Sequence, residues 1–167
     1  MKSSLLIANI ISHKKTIVAG EKKAVRRDDL ELLRVIQRKS EELKHGMHIL
    51  SDKIEENDLE IQLRCQEIKI AGLHDKALLK LLSEKETPSF ETVTQRIRND
   101  RRIKRNTIFN ISDSHIAEIA IRENQCAVTE VWKARKKYEN ASKYTTEIAS
   151  EFIDLQEEFI ARLHHYL

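Results

Sequence analysis

The sequence predicts an all-α protein, folded as one long antiparallel two-helix coiled-coil hairpin. Three observations carry that prediction. Apolar residues recur at alternating steps of three and four. The only proline, Pro88, lies near the midpoint of 167 residues, and glycine occurs three times. The composition is 34% charged and 40% hydrophobic but only 5% aromatic, a mixture that suits helices burying a narrow seam.

The first helix is expected from about Leu5 to Leu82. One seam series is Leu33, Ser40, Met47, Ile54, Ile61, Ile68, and its companion is Ile36, Leu43, Leu50, Asn57, Arg64. Together they have the heptad spacing of a coiled coil, and polar residues such as Arg34, Glu41 and Lys53 flank them. An earlier series, Ile11, Val18, Val25, Leu32, joins at Ile36 by a stutter, which unwinds a supercoil locally without ending the helix.

Residues 83–87 are the expected turn. Proline is tolerated at the first helical position, and it pushes the residue before it out of the helical region. Thr87 then caps the second helix, expected from about Pro88 to Leu167. Its seam reads Ala117, Asn124, Val131, Tyr138, Thr145, Phe152, Phe159, Tyr166, with Ile121, Val128, Arg135, Ser142, Ala149, Gln156, Leu163 alongside. Two arms of about 110–120 Å follow from 1.5 Å per residue. A turn centred near Lys85 or Glu86 sets Met47 near Asn124 and Ile54 near Glu118, and brings both termini to one end. Gly72 and the cap-forming cluster Asn110–His115 are the two places where the arms kink or stop. One domain, 1–167, covers the chain.

The 30 basic residues nearly balance 27 acidic ones, so general nucleic-acid affinity is not implied. Cys65 and Cys126 are too few for a disulfide framework. No apolar run approaches the roughly 20 residues of a membrane span. The three glycines are too far apart to cradle phosphate, and the histidines do not pair with cysteines at metal-ligand spacing. No catalytic, cofactor or metal residue is expected, because a thin hairpin offers no pocket to desolvate a nucleophile.

Two runs stand out. "RIRNDRRIKR" holds Arg96, Arg98, Arg101, Arg102, Lys104 and Arg105 against the single acid Asp100. It reads either as a solvated face or as a contact patch for an acidic partner. "VWKARKKYENASKY" carries the sole tryptophan, Trp132, one position off the seam. There it either packs at the seam edge or anchors a partner. Beyond this run the chain turns acidic, with Glu147, Glu151, Asp154, Glu157 and Glu158, whereas Lys14, Lys15, Lys22 and Lys23 make the N-terminal arm basic.

A hairpin with this Trp-basic-Tyr segment, followed by "EFIDLQEEFIARL", resembles the stalk proteins of type III secretion systems, the YscO and FliJ family. The resemblance implies a non-catalytic cytoplasmic protein, peripheral to the inner-membrane export apparatus, that couples a hexameric export ATPase to the export gate and also meets secretion chaperones. It implies an ATPase-facing end including Lys14, Lys15, Lys22, Glu151, Glu157 and Glu158, and a gate-facing end at the basic run. The alternatives are a secreted or chaperone-like coiled-coil hairpin, supported by the apolar "LLIANII", and a generic coiled-coil scaffold.

Overall fold

The computed structural model describes residues 2–54, 57–86, 97, 100–103, 107 and 112–167, with side chains from Arg26 onward except that of Asn57. The described residues are helical, joined by short turns, and include no strand. Among the described residues four helices can be followed from end to end, α1 (Lys2–Ser51), α2 (Asn57–Ser83), α3 (Asp113–Lys137) and α4 (Lys143–Leu163), the last continued by a short 3-10 turn, His164–Tyr166, and residues 97, 100–103 and 107 are also helical.

The single first arm is therefore divided. α1 closes at Ser51, whose hydroxyl donates to the His48 carbonyl at 2.9 Å, and the Lys53 N–H reaches the Leu50 carbonyl in a tighter three-residue bond. Ser51, Asp52, Asn57 and Asp58 compete for backbone hydrogen bonds and favour caps over helix interior. Asp58 and Glu60 then lie in the first turn of α2, where the helix dipole favours negative charge.

The chain reverses here, because Arg26 meets Glu84, Arg34 meets Glu86 and His48 meets Glu67. The first fold-back thus comes at Asp52–Ile54, well before the proline. Pro88 itself lies outside the described residues. The expected break at Gly72 is absent, since α2 runs unbroken through it.

α2 ends where the first arm was expected to end. The Glu86 N–H reaches back to the Leu81 carbonyl and the Lys85 N–H to the Leu82 carbonyl, at 3.1 and 3.0 Å. That bond pair closes a helix through a left-handed residue. The residue is Lys85, at φ 58°, a conformation that costs an L side chain energy and glycine very little. Lys85→Gly is accordingly expected to raise unfolding free energy by about 0.5–1 kcal/mol. Urea denaturation checks this, and an unchanged or lower midpoint would speak against the assigned conformation.

At residues 100–103 the chain lies beside α1. Asp100 lies 2.6 Å from His45, Ile103 packs 3.5 Å from where a Gly46 Cβ would stand, and Arg102 pairs with Glu123. α3 starts at the cap-forming cluster that the sequence marks, with Ser112 accepting from the His115 N–H at 3.4 Å. Arg135, Lys136 and Lys137 in its last turn complement the negative helix end. Lys39 pairs with Glu130, so α1 and α3 run antiparallel in the register that a fold-back near Lys85 implies for these two segments.

The α3–α4 loop is pinned from α1. Asp28 accepts from the Asn140 backbone and side-chain N–H groups, and Asp29 accepts from the Ser142 N–H at 2.6 Å. Ser142 then caps α4. α4 runs antiparallel to α2: Lys76 pairs with Glu151, Gln66 with Gln156, and Asp58 with Tyr166.

One contiguous core joins all four helices. The expected seam residues Leu33, Ile36, Leu43, Met47 and Leu50 of α1 are buried, as are Ala117, Ile121, Val131, Phe152, Phe159 and Leu163 of the second half. α3 contributes Ala120, Ala127 and Ala134 seven residues apart. Such small side chains allow close helix approach, and the larger Phe152 and Phe159 of α4 are fully buried in the same cluster. In α2 the phase differs from expectation. The buried residues are Leu59, Leu63, Gln66, Ile70, Leu73, Ala77 and Leu81, whereas Ile61 and Ile68 face solvent.

Candidate interaction surfaces

Helix order sets where the candidate residues lie. With an extra reversal at Asp52–Ile54, α1 and α4 are parallel. The C-terminal turn lies beside Asp58 at the start of α2, whereas the part of α1 before Arg26 extends past the other end of α2. Lys14, Lys15 and Lys22 sit on that part of α1, in residues whose side chains are not described. Glu157 and Glu158 lie toward the opposite end, so the expected meeting of the termini, and of these charges, does not occur. Glu151 pairs with Lys76 of α2, and Glu158 with Arg162 one turn on.

Of the basic run, Arg101 and Arg102 are described and exposed, and Arg102 is tied to Glu123. Arg96, Arg98, Lys104 and Arg105 lie outside the described residues.

Trp132 is 43% exposed on α3, so part of its ring is covered and part is open to solvent. The Arg135 guanidinium stands 5.8 Å and the Lys136 ammonium 5.3 Å from its ring centroid. Cation–π attraction of this kind is worth about 0.5–1 kcal/mol at exposed sites. It holds a large flat ring in place and makes its surroundings positive, a surface suited to an acidic partner. Nearby, Lys39 lies between Glu42 and Glu130. Burial opposes its charge, but hydrogen bonds and the two carboxylates outweigh that and hold its pKa above the ordinary lysine value.

Sequence reasoning missed a second surface. On α2, Ile61, Cys65, Ile68, Gly72, Asp75, Leu79 and Leu82 are all exposed, and they follow one another at alternating steps of four and three. Ile68 is 72% and Leu79 67% exposed. The signal was present in the sequence, since α2 carries two apolar stripes: one at Leu59, Leu63, Ile70, Leu73 and Leu81, the other at Ile61, Ile68, Leu79 and Leu82. A helix that packs on one side needs one such stripe.

Among the described residues no group of three His, Cys, Asp or Glu side chains is placed to hold a metal ion, and no helix is long and apolar enough to cross a membrane. Cys65 and Cys126 are free and exposed. Comparison with family models, curated proteins and solved structures finds no match in any of the three.

Proposed function

We propose that the chain is a non-catalytic helical adaptor of a type III protein-export apparatus. In this reading it is a stalk on the cytoplasmic side of the inner membrane that couples a hexameric export ATPase to the export gate and also meets secretion chaperones. The observation that carries the reading is α1. It is a continuous helix of 50 residues, and its part before Arg26 outruns α2 by about 36 Å at 1.5 Å per residue. That geometry suits a lever fixed in a small bundle. The lever is one helix with a bundle at its base, in place of two equal arms. The resemblance of the Val131–Leu163 segment to the stalk family adds the partner class.

In this reading Lys14, Lys15 and Lys22 on the projecting part of α1 face the ATPase, while Trp132, Arg101 and Arg102 on the bundle face the gate component. Glu151, Glu157 and Glu158 belong to the bundle and take no part in ATPase contact. Reversing Lys14, Lys15 and Lys22 to Glu is expected to reduce co-purification with the export ATPase at least about tenfold, the loss of a few charge-assisted contacts. The thermal unfolding of the bundle should stay unchanged. Cross-linking that recovers neither a hexameric ATPase nor a gate component would remove the reading.

A further inference from the structure

The exposed stripe of α2 has the spacing of a helix-packing seam, and its large apolar side chains stay open to solvent. Ile61, Ile68, Leu79 and Leu82 are large apolar residues at heptad spacing, and each is at least half exposed. Gly72 sits in the middle of the stripe. A Cβ there would meet nothing within 4 Å, so no contact inside the chain accounts for the glycine, which is unfavourable in a helix interior. The flanks are charged: Lys69 is exposed on one side with no ion pair among the described residues, Lys76 follows it about two turns on, and Asp75 lies in the stripe itself.

We propose that this stripe is the interface of an antiparallel homodimer formed by α2 of two copies of the chain. The charges decide between occupants. In a parallel pair each stripe residue meets itself, so Asp75 would face Asp75. In an antiparallel pair the two classes of seam position exchange. Leu79 then packs on Ile68 of the second copy, Cys65 on Leu82, and Asp75 over Gly72. The space above Gly72 admits the carboxylate, and Lys69 and Lys76 of the second copy, three residues before and four after that glycine, flank it. Among the described residues Asp75 pairs with the neighbouring His74, and 70% of its side chain is open. The stripe thus carries both halves of its own charge pairing, and the dyad forms that pairing twice. Lys76 already holds Glu151, which leaves Lys69 as the closer partner for Asp75.

This inference is independent of the export-apparatus reading. Sedimentation equilibrium of the full chain is expected to show a dimer at micromolar concentration. Ile68→Glu and Leu79→Glu should each raise the dissociation constant about 30-fold or more, the scale of an interface hot spot. Their circular dichroism should be unchanged, because neither side chain is buried in the monomer. Orientation is read by disulfide trapping in a Cys126→Ser background. Leu82→Cys should link to Cys65 of the second copy under mild oxidation, Cys65 alone should not link to itself, and Leu82→Cys combined with Cys65→Ser should not link. A chain that stays monomeric at 100-fold higher concentration, or one that links through Cys65 alone, would overturn the proposal. In the first case the stripe serves a different protein, and in the second the pair is parallel.

Discussion

Truncating Phe152 to alanine is expected to cost about 3–5 kcal/mol of stability. Phe152 is fully buried and belongs to the cluster that joins all four helices. Its ring lies in the same buried cluster as Ala120, Ala127 and Ala134 of α3, and close-packed neighbours relax only partly into the cavity that truncation leaves. Domains of this size are stable by about 5–15 kcal/mol, so the variant should lose a large part of its unfolding free energy and could unfold near body temperature. Urea titration with the same slope and a much lower midpoint is the expected signature. A loss under about 1 kcal/mol would mean that α4 does not pack into the core as described. Trp132→Ala provides the contrast. It removes a larger side chain from an exposed site and should leave the midpoint almost unchanged while weakening any contact that uses this face.

The second large effect concerns the buried amides between α2 and α4. Gln66 donates to the Gln156 side-chain carbonyl at 2.9 Å, and both residues are buried. Gln66 Oε1 and Gln156 Nε2 have no further partner among the described groups. Replacing Gln66 by leucine leaves the Gln156 amide buried and unpaired, at a cost of about 1–3 kcal/mol, and replacing Gln156 leaves Gln66 only a long bond to the Leu155 carbonyl at 3.5 Å. Replacing both removes the polar groups together, so the double variant should equal or exceed the native stability. The coupling from a double-mutant cycle should therefore be large and favourable. Additive losses would show that the two amides do not meet. The pair also fixes register: sliding α4 by one turn would set Gln66 against Phe152, Ile153, Phe159 or Ile160 and Gln156 against Leu63 or Ile70, which makes this polar contact a selector of the α2–α4 alignment.

The sequence was informative where helix period and burial agree. The seam from Leu33 to Leu50 and that from Ala117 to Leu163 are the buried faces of α1, α3 and α4. The Asn110–His115 cluster announced the cap of α3. What misled was a coincidence of spacing at the first reversal. Met47, Ile54 and Ile61 continue a perfect step of seven across a turn that contains neither glycine nor proline. Ile54 is buried at the turn itself, and Ile61 emerges on the outside of α2. Ser51, Asp52, Asn57 and Asp58 were the only local signal, and cap-forming residues also occur on exposed helix faces. Gly72 misled in the opposite direction, since a glycine weakens a helix without breaking it when packing on the far side holds both neighbouring turns. The partial exposure of Trp132 was legible from its position one residue off the seam. The open stripe of α2 was not, because Ile61 and Ile68 continue the seven-residue step of the α1 seam and Leu79 and Leu82 extend no series.

The account depends on the chain reversing at Asp52–Ile54, and one distance tests this directly. Spin labels at Arg27→Cys and Lys85→Cys, in a background with Cys65→Ser and Cys126→Ser, flank the Arg26–Glu84 contact. The folded-back arrangement predicts a narrow distribution near about 20 Å, helix spacing plus the label arms. A first helix running straight from Leu5 to Leu82 would separate the labels by about 80–90 Å, and that result would contradict the four-helix body and every surface assigned to it.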